Sequence, residues 1–334
     1  MNTRILEVSS SSPESHAIEE AASVLRGGGL VAFPTETVYG LGADAQNEKT
    51  IRKVFEAKGR PADNPLIVHI DSFLQAGLFA RDIPEKGKKL ADIFWPGPLT
   101  LVLPKLKHVP GIISANLDTV ALRVPNHPVA LALLKEFRGG VVAPSANISG
   151  GPSPTEASHV VKDLDGRIDL ILDGGRTEIG IESTVIDVTA DPPIILRQGG
   201  LSRERIEQAI GKVGTTTQEE LLKRSPGTRH KHYAPKARVV IIGVRDETGF
   251  AGEASRFDSS GKIVGAITHS FAASSVKSEF RKKLAGDPAI FAQEFFRALR
   301  ELDEKRVDVI LVESVEEKGI GSAVMDRLKK AAQT

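Results

Sequence analysis

The chain has 334 residues, a formal net charge of +1 and no cysteine. The length leaves room for two domains, and the missing cysteines exclude disulfides, a catalytic thiolate and cysteine-based zinc sites. A charge this close to zero gives no bulk attraction to nucleic acid or membranes, so any basic site must be local. No apolar run resembles a secretory signal or is long enough to span a bilayer. We therefore expect a soluble cytoplasmic protein.

The first elements of the chain are a helix and a buried strand. Ser12-Pro13-Glu14 predicts the start of the helix, with Ser12 as its cap and Pro13 in its first position. The apolar run Leu30–Phe33 then predicts a strand, which Pro34 ends because proline cannot donate to a ladder. The polar stretch Pro34–Ala43 follows at the strand end, where α/β proteins place ligands, although an ordinary turn has the same composition.

Helices and further strands follow up to residue 211. Asn47 is expected to cap a helix that ends at Lys58-Gly59-Arg60-Pro61, and Ser153 with Glu156 matches a capping box for a helix opening at Pro154. Other helices are predicted at 84–94, 127–137 and 202–210, and strands at 66–70, 99–103, 119–125, 141–143, 168–172, 183–188 and 194–197. Because several strands are consecutive, we expect an α/β domain with a mixed parallel and antiparallel sheet.

The remaining chain divides into a linker, 212–237, and a second domain, 238–334. The segment Lys223–Arg238 holds six Lys or Arg and no acid, which is typical of a solvated tether but would also suit a segment covering an anionic ligand. Within it, His230-Lys231-His232 could bind a metal only with other ligands. In the second domain strands are predicted at 238–242, 263–267 and 307–312, and helices at 288–302 and 321–332. This alternation predicts a small layered α/β domain.

Four cations lie at element ends in the first domain: Lys58, Arg60, Arg123 and Arg197. Arg123 and Arg197 follow apolar strand residues, and a buried charge needs a partner anion. Each arginine could belong to a structural ion pair. Alternatively, the cations converge on a polyphosphate, which requires several charge-assisted donors.

Two further features fit either a binding site or ordinary structure. The segment Ser145–Gly151 is dense in hydroxyl, amide and glycine groups, which could approach a phosphate or simply form a cap and turn. His69, inside a predicted strand, is either a core histidine or a group that hydrogen-bonds a substrate.

Taken together, eight short motifs occur in an order that resembles the L-threonylcarbamoyladenylate synthases of the YrdC-like family. The motifs are Pro34–Gly42, Lys58–Arg60, Pro65–Ile70, Trp95–Thr100, Arg123–Pro125, Ala143–Gly150, Ser183–Val185 and Leu196–Gly199. The segment Ser225–Lys236, followed by an α/β domain, resembles the long two-domain form of the family. The resemblance implies a YrdC-like twisted mixed sheet followed by a small Rossmann-like domain.

The family's reaction joins L-threonine, bicarbonate and ATP to give threonylcarbamoyl-AMP and pyrophosphate, a nucleotidyl transfer. The product feeds threonylcarbamoylation of the adenosine beside the anticodon of tRNA. The resemblance also implies a Mg²⁺ ion held by ATP phosphates and water, and a monomeric protein. The expected partner is the downstream tRNA threonylcarbamoyl-transfer machinery, and whether the chain also binds tRNA directly is left open.

Matching the motifs residue by residue divides the site into subsites. Threonine is expected at Thr37, His69, Arg123 and Ser183, with the carboxylate paired by Arg123. Catalytic roles fall to Lys58 and Arg60. The nucleotide is expected at Lys58, Arg60, Asn64, Ser145, Ser153, Arg197 and Tyr233, the last acting as a lid. Thr35, Asn147 and Ser149 are expected to line the cleft. We expect no residue of the protein to bind a metal directly.

Two competing hypotheses remain at this stage. A direct RNA-binding module could use the same cations, although near-zero charge and sixteen aromatic residues provide little stacking surface. A carbamoyl-transfer subunit of hydrogenase maturation shares the fold by resemblance, but that form carries zinc fingers and this chain has no cysteine.

Overall fold

The computed structural model describes residues 2–216, 223–225 and 233–333. The strands of the first domain are β1 (Arg4–Glu7), β2 (Val31–Phe33), β3 (Gly40–Asp44), β4 (Ile67–His69), β5 (Leu99–Pro104), β6 (Thr119–Arg123), β7 (Val141–Val142), β8 (Leu170–Asp173), β9 (Thr184–Asp187), β10 (Ile194–Arg197) and β11 (Gly214–Thr215). They form one sheet in the order β1-β8-β2-β3-β7-β4-β6-β5-β9-β10-β11. Parallel pairs such as β4–β6 and antiparallel pairs such as β5–β6 both occur, which confirms the predicted mixed sheet.

Helices cover both faces of this sheet. Alternate residues of a strand point to opposite faces. Val31 and Phe33 accordingly pack in one hydrophobic cluster, and Leu30 and Ala32 in another. The helices of this domain are Ser15–Arg26, Glu48–Lys58, Glu85–Phe94, Pro128–Phe137, Ala157–Leu164 and Arg203–Ile210. The predicted cap at Asn47 is confirmed, since its side-chain oxygen accepts from the amide of Thr50 at 3.3 Å.

Two predicted helix starts are wrong. The first helix begins at Ser15 with Glu14 at the cap, and the carboxylate of Glu14 accepts from the amide of Ser9 at 3.0 Å. The helix predicted to open at Pro154 begins at Ala157 with Glu156 at the cap. Ser153 does not cap it, because its hydroxyl donates to the carboxylate of Glu182. A distant partner has therefore replaced the local hydrogen bond that the capping box predicts.

The second domain is a parallel sheet of four strands with helices. The strands are β12 (Arg238–Ile242), β13 (Val264–Thr268), β14 (Arg281–Lys283) and β15 (Val309–Glu313), in the order β12-β15-β13-β14. The helices are Glu247–Ser259, Pro288–Glu304 and Ile320–Ala332. The short edge strand β14 was not predicted, because Arg-Lys-Lys carries no apolar signal. None of the described helices combines the length and apolar character that crossing a membrane requires.

The two domains share a hydrophobic core. Ile181 of the first domain packs in one cluster with Phe296 and Leu328 of the second. Gly180 lies so close to helix Pro288–Glu304 that an added Cβ would sit 2.4 Å from the Cα of Gln293. Only glycine fits at this contact, so the helix can rest directly on the backbone of the first domain.

The predicted boundary at residue 211 falls before the last strand of the first sheet. Gly214 of β11 pairs with Ile194 of β10, so the sheet continues into the segment predicted as linker. Beyond residue 216, the structure describes residues 223–225 and 233–237 of that linker; the His230-Lys231-His232 segment lies outside the described residues.

Candidate active site

A cavity lies where several strands of the first domain end. His69 and Arg123 are the last residues of the parallel strands β4 and β6 and are register partners, so both side chains reach the same sheet edge. Thr35 follows β2, and Arg197 is the last residue of β10. The cavity contains about 600 Å³ of space not filled by atoms, part of it open to solvent.

Nine of the predicted site residues line this cavity. They are Thr35, Thr37, Arg60, His69, Arg123, Ser145, Ser183, Arg197 and Tyr233. Five others do not line it: Lys58, Asn64, Asn147, Ser149 and Ser153. Most of the predicted site residues therefore share one cavity in the structure, and the other five lie behind the cavity wall or away from it.

A hydrogen-bonded pair of threonines forms one wall. The hydroxyl of Thr35 donates to the carbonyl of Val38 at 2.7 Å and lies 2.8 Å from the hydroxyl of Thr37. Because the Thr35 proton is used for the carbonyl, Thr37 must be the donor of this pair. The lone pairs of the Thr37 oxygen are then the groups available to a bound donor, such as an amine.

Arg123 meets a buried carboxylate that the site prediction missed. Its Nη2 lies 2.7 Å from Oε2 of Glu36, and its Nε donates to the carbonyl of Gly97 at 3.3 Å. Burial, followed by the charge of Arg123, holds the pKa of His69 well below its usual range, so this imidazole is neutral. The Nδ1 atom of His69 has no hydrogen-bond partner among the described residues. Glu36 lies inside the first motif, so its position was a signal for its role.

Two arginines give another wall its positive charge. Arg60 is half-buried, and its Nη2 donates to the carbonyls of Pro65 at 3.0 Å and Asn64 at 3.3 Å. Loss of hydration lowers the pKa of Arg60 to about 10, against smaller opposing effects of Tyr233 and Asp63. Arg197 is buried and donates from Nε and Nη2 to the carbonyl of Ser183 at 3.1 and 2.9 Å. These cations suit an anionic ligand.

Lys58 is placed behind the cavity, and the expectation that it lines the nucleotide site directly does not hold in this structure. Its Nζ donates to the carbonyls of Ser145 and Asn147, and lies 3.4 Å from the side-chain oxygen of Asn147. Burial holds the pKa of Lys58 well below its usual range. Because its hydrogen bonds are directed at this loop, Lys58 shapes the loop whose Ser145 lines the cavity.

Asn147 and Ser149 also differ from their predicted positions. The Asn147 side chain is used within its own loop, where it donates to the carbonyls of Ile148 and Gly151 at 2.8 and 2.9 Å. Ser149 lines a separate cavity between the two domains and does not line the cavity described above. The loop turns at Gly150, whose φ of 93° favours glycine. Asn64 is fully buried outside the cavity, and its amide has no partner among the described residues.

Glu182 and Arg327 were both missed. Glu182 lines the cavity, accepts the hydroxyl proton of Ser153, and accepts from Nε of Arg327 at 2.7 Å. Ser153 thus touches the site through Glu182. Glu182 adjoins the motif Ser183–Val185, which was a usable signal, whereas Arg327 lies in the closing helix outside any motif.

Tyr233 closes one side of the cavity. Its side chain is buried, its ring stacks on Phe296 with centroids 5.6 Å apart, and its neighbour Ala234 donates to the carbonyl of Gly150 at 2.9 Å. Burial raises the pKa of Tyr233 to about 12, so the phenol keeps its proton. Tyr233 therefore lies at the cavity wall and packs against the second domain.

Comparison with known proteins agrees with this arrangement. The model for Sua5, YciO and YrdC proteins, described as "Telomere recombination", matches residues 23–199, and a "Threonylcarbamoyl-AMP synthase, C-terminal domain" matches residues 201–333. A threonylcarbamoyl-AMP synthase of Pyrococcus abyssi is 49% identical, with 96% of this chain and 95% of that protein covered. One of Bacillus subtilis is 45% identical, with 98% and 95% covered.

A solved structure has the same architecture throughout. The crystal structure of P. abyssi Sua5 complexed with L-threonine superposes with a TM-score of 0.94 at 48% identity, covering 99% of this chain and 98% of that chain. The shared fold, the full-length coverage and the two matched domains lead to one conclusion: the chain belongs to the Sua5, YciO and YrdC family, in its form with a C-terminal Sua5 domain.

Proposed function

We propose that the chain is a nucleotidyltransferase that makes L-threonylcarbamoyl-AMP from L-threonine, bicarbonate and ATP and releases pyrophosphate. The observation that carries this proposal is one cavity lined both by groups for an amino acid, Thr37, His69 and Arg123, and by cations for a polyphosphate, Arg60 and Arg197. The names of the relatives and the threonine complex of the P. abyssi protein support it.

Threonine would lie at the wall formed by Thr37 and Arg123. A guanidinium binds a carboxylate through paired charge-assisted hydrogen bonds, so Arg123 is the proposed partner of the threonine carboxylate. The Thr37 oxygen would accept from the amine. His69 is neutral and its Nδ1 is unpartnered among the described residues, so it could accept a proton or a hydrogen bond from the bound amino acid.

ATP would lie at the wall formed by Arg60, Ser145 and Arg197. The threonine nitrogen bonds to the carbon of bicarbonate with loss of water, giving a carbamate. A carbamate oxygen then bonds to the α-phosphorus as the bond to pyrophosphate breaks. Positioning and charge neutralisation are the protein's main tasks in such a transfer. Lys58 and Asn147 would act indirectly, by holding the loop that carries Ser145. Ser153 would act through its hydrogen bond to Glu182, and Asn64 through its backbone carbonyl, which accepts from Arg60.

Mg²⁺ is proposed to enter with ATP, held by phosphates and water. The carboxylates near the site are already paired, Glu36 with Arg123 and Glu182 with Arg327. Within the described parts of the chain, no group of three or more His, Asp or Glu side chains could hold a metal ion. Mg²⁺ commonly keeps several waters and is held through substrate phosphates, which is the arrangement proposed here.

The cellular context is part of the same proposal. The product would pass to the tRNA threonylcarbamoyl-transfer machinery in the cytoplasm, and the chain would work as a monomer. Direct tRNA binding is not needed for the chemistry, because all three substrates are small molecules.

The test is pyrophosphate release from Mg-ATP by purified protein, with threonine and bicarbonate each omitted in turn, and mass detection of the product. Release that requires both substrates, together with a threonylcarbamoyl-AMP mass, is expected. Release that is independent of threonine would point to a nucleotide hydrolase and would overturn the assignment.

A further inference from the structure

The closing helix of the second domain places one arginine at the cavity of the first. Arg327, in helix Ile320–Ala332, is 0% exposed. Its Nε donates to Oε2 of Glu182 at 2.7 Å, and its Nη2 donates to the carbonyl of Gln198 at 2.9 Å. Because Glu182 lines the cavity, this single side chain connects the second domain to the candidate site.

Both carboxylate oxygens of Glu182 have partners. Oε1 accepts the hydroxyl proton of Ser153, and Oε2 accepts from Arg327. Against the opposing effect of burial, Arg327 and then Arg197 hold the pKa of Glu182 below its usual range, so the carboxylate is ionised. The charge of Arg197 is thus felt at Glu182, yet the ion pair that Glu182 forms within the described residues is with Arg327.

Arg327 also contacts a second residue of the cavity wall. Its Cζ lies 5.0 Å from the ring centroid of Tyr233, within the range of a cation–π contact. Glu182 and Tyr233 therefore lie on the cavity wall with the same arginine behind them.

A buried carboxylate that loses its arginine must find another cation or become protonated. For Glu182, the other cation that acts on its charge from the cavity wall is Arg197. If Glu182 turned to Arg197, the cavity would lose positive charge where the phosphates are expected.

We propose that Arg327 is a positioning residue of the nucleotide site, which holds the Glu182 carboxylate away from Arg197 so that the charge of Arg197 acts on bound phosphate. The identity of that phosphate as ATP rests on the proposed function. The proposal gives the second domain a direct part in nucleotide binding, beyond its support of the segment at Tyr233.

The test compares Arg327→Met with wild type for ATP binding by calorimetry and for steady-state pyrophosphate release. We expect the Kd and KM for ATP to rise about ten-fold or more, with a smaller change in the KM for threonine. The Glu182→Gln substitution removes the carboxylate charge that Arg327→Met would leave unpaired. In that background, Arg327→Met should therefore change the ATP Kd by less than about two-fold. A role through structural contacts that do not involve Glu182 would not show this rescue.

Arg300→Met is the matched control. Arg300 is another buried arginine of the second domain, and it pairs with Asp163 of the first at 2.7 Å without contacting Glu182. Any loss that it causes should persist in the Glu182→Gln background. Thermal unfolding of every variant reports on folding. If Arg327→Met does not fold, Arg327→Lys, which keeps the charge, replaces it. Arg327→Lys should lose less ATP affinity, and that loss should also be rescued in the Glu182→Gln background.

Two outcomes would overturn the proposal: unchanged ATP affinity in the Arg327 variant, or an undiminished loss in the Glu182→Gln background. Failure of the proposed function is recognised separately, because wild-type protein would then release no threonine-dependent pyrophosphate. The calorimetric comparison with ATP would still decide the role of Arg327.

Discussion

The Nη2 atom of Arg123 lies 2.7 Å from Oε2 of Glu36, and neither side chain is more than 4% exposed. The two atoms are close, yet neither meets hydrogen-bond geometry with any described group. Glu36 therefore balances the charge of Arg123, although Nη2 of Arg123 makes no well-directed hydrogen bond with it. A second carboxylate entering the cavity could align with it, which is the role proposed for threonine.

Glu36→Gln should lower the free energy of unfolding by about 3–5 kcal/mol, because it leaves Arg123 as a buried charge without its partner. Threonine would then supply the missing carboxylate. We therefore expect threonine to raise the Tm of this variant more than that of wild type, as measured by thermal unfolding with and without the amino acid. Equal shifts in the two proteins would separate Arg123 from the threonine carboxylate.

Arg60→Ala should lower kcat/KM for ATP about 100- to 1,000-fold, because a preorganised donor to the phosphates is removed. Its thermal stability without ligand should stay the same or rise, since Arg60 has a buried Nε without a partner among the described residues. Pyrophosphate release and thermal unfolding measure the two effects. Unchanged turnover would remove Arg60 from the site.

Lys58→Met should loosen the loop that carries Ser145. Without the amino group, the carbonyls of Ser145 and Asn147 lose this donor, and a buried acceptor left unsatisfied costs about 1–3 kcal/mol. We expect faster amide hydrogen exchange across residues 145–151 in the ligand-free variant, together with weaker ATP binding. If ATP binding is lost while exchange in this loop is unchanged, Lys58 contacts the nucleotide directly instead.

Tyr233→Ala should reduce turnover if the segment at Tyr233 covers the bound nucleotide. Tyr233→Phe keeps the ring that stacks on Phe296 and should retain most of the activity. Phe296→Ala, which removes the stacking partner from the second domain, should reproduce part of the Tyr233→Ala defect. Full activity of Tyr233→Ala would leave this segment as a tether only.

The pH dependence of stability should reveal the neutral state of His69. Its pKa is held below the usual value in the folded protein, so unfolding takes up a proton once the pH falls below about 6.5. The free energy of unfolding therefore decreases as the pH drops. His69→Gln should reduce that slope by up to about 1.4 kcal/mol per pH unit, measured by urea unfolding between pH 7 and 5. An identical slope in the variant would contradict a buried neutral imidazole.

Local patterns in the chain were enough to predict much of the architecture. Apolar runs such as Leu30–Phe33 mark strands, because a sheet covered on both faces needs apolar residues throughout. The Asn47 cap was predictable because its hydrogen bond reaches only to Thr50. His69 and Arg123, which lie at strand ends, were assigned to one cavity because their motifs occur along the chain in the same order as in the family.

Contacts between distant segments decided the rest. Ser153 was expected to cap a helix opening at Pro154, yet its hydroxyl donates to Glu182, which in turn pairs with Arg327 at the far end of the chain. Lys58 was expected at the phosphates, yet its protons meet carbonyls 87 and 89 residues away.

The sequence by itself therefore determined many of the elements and the mixed sheet, since these follow from local periodicity, and its motifs indicated most of the chemical groups of the cavity. Only the tertiary structure decided which groups face the ligand and which stand behind them. The reason is physical: a buried polar group bonds to whatever partner folding brings within about 3 Å, and that partner has no fixed separation along the chain.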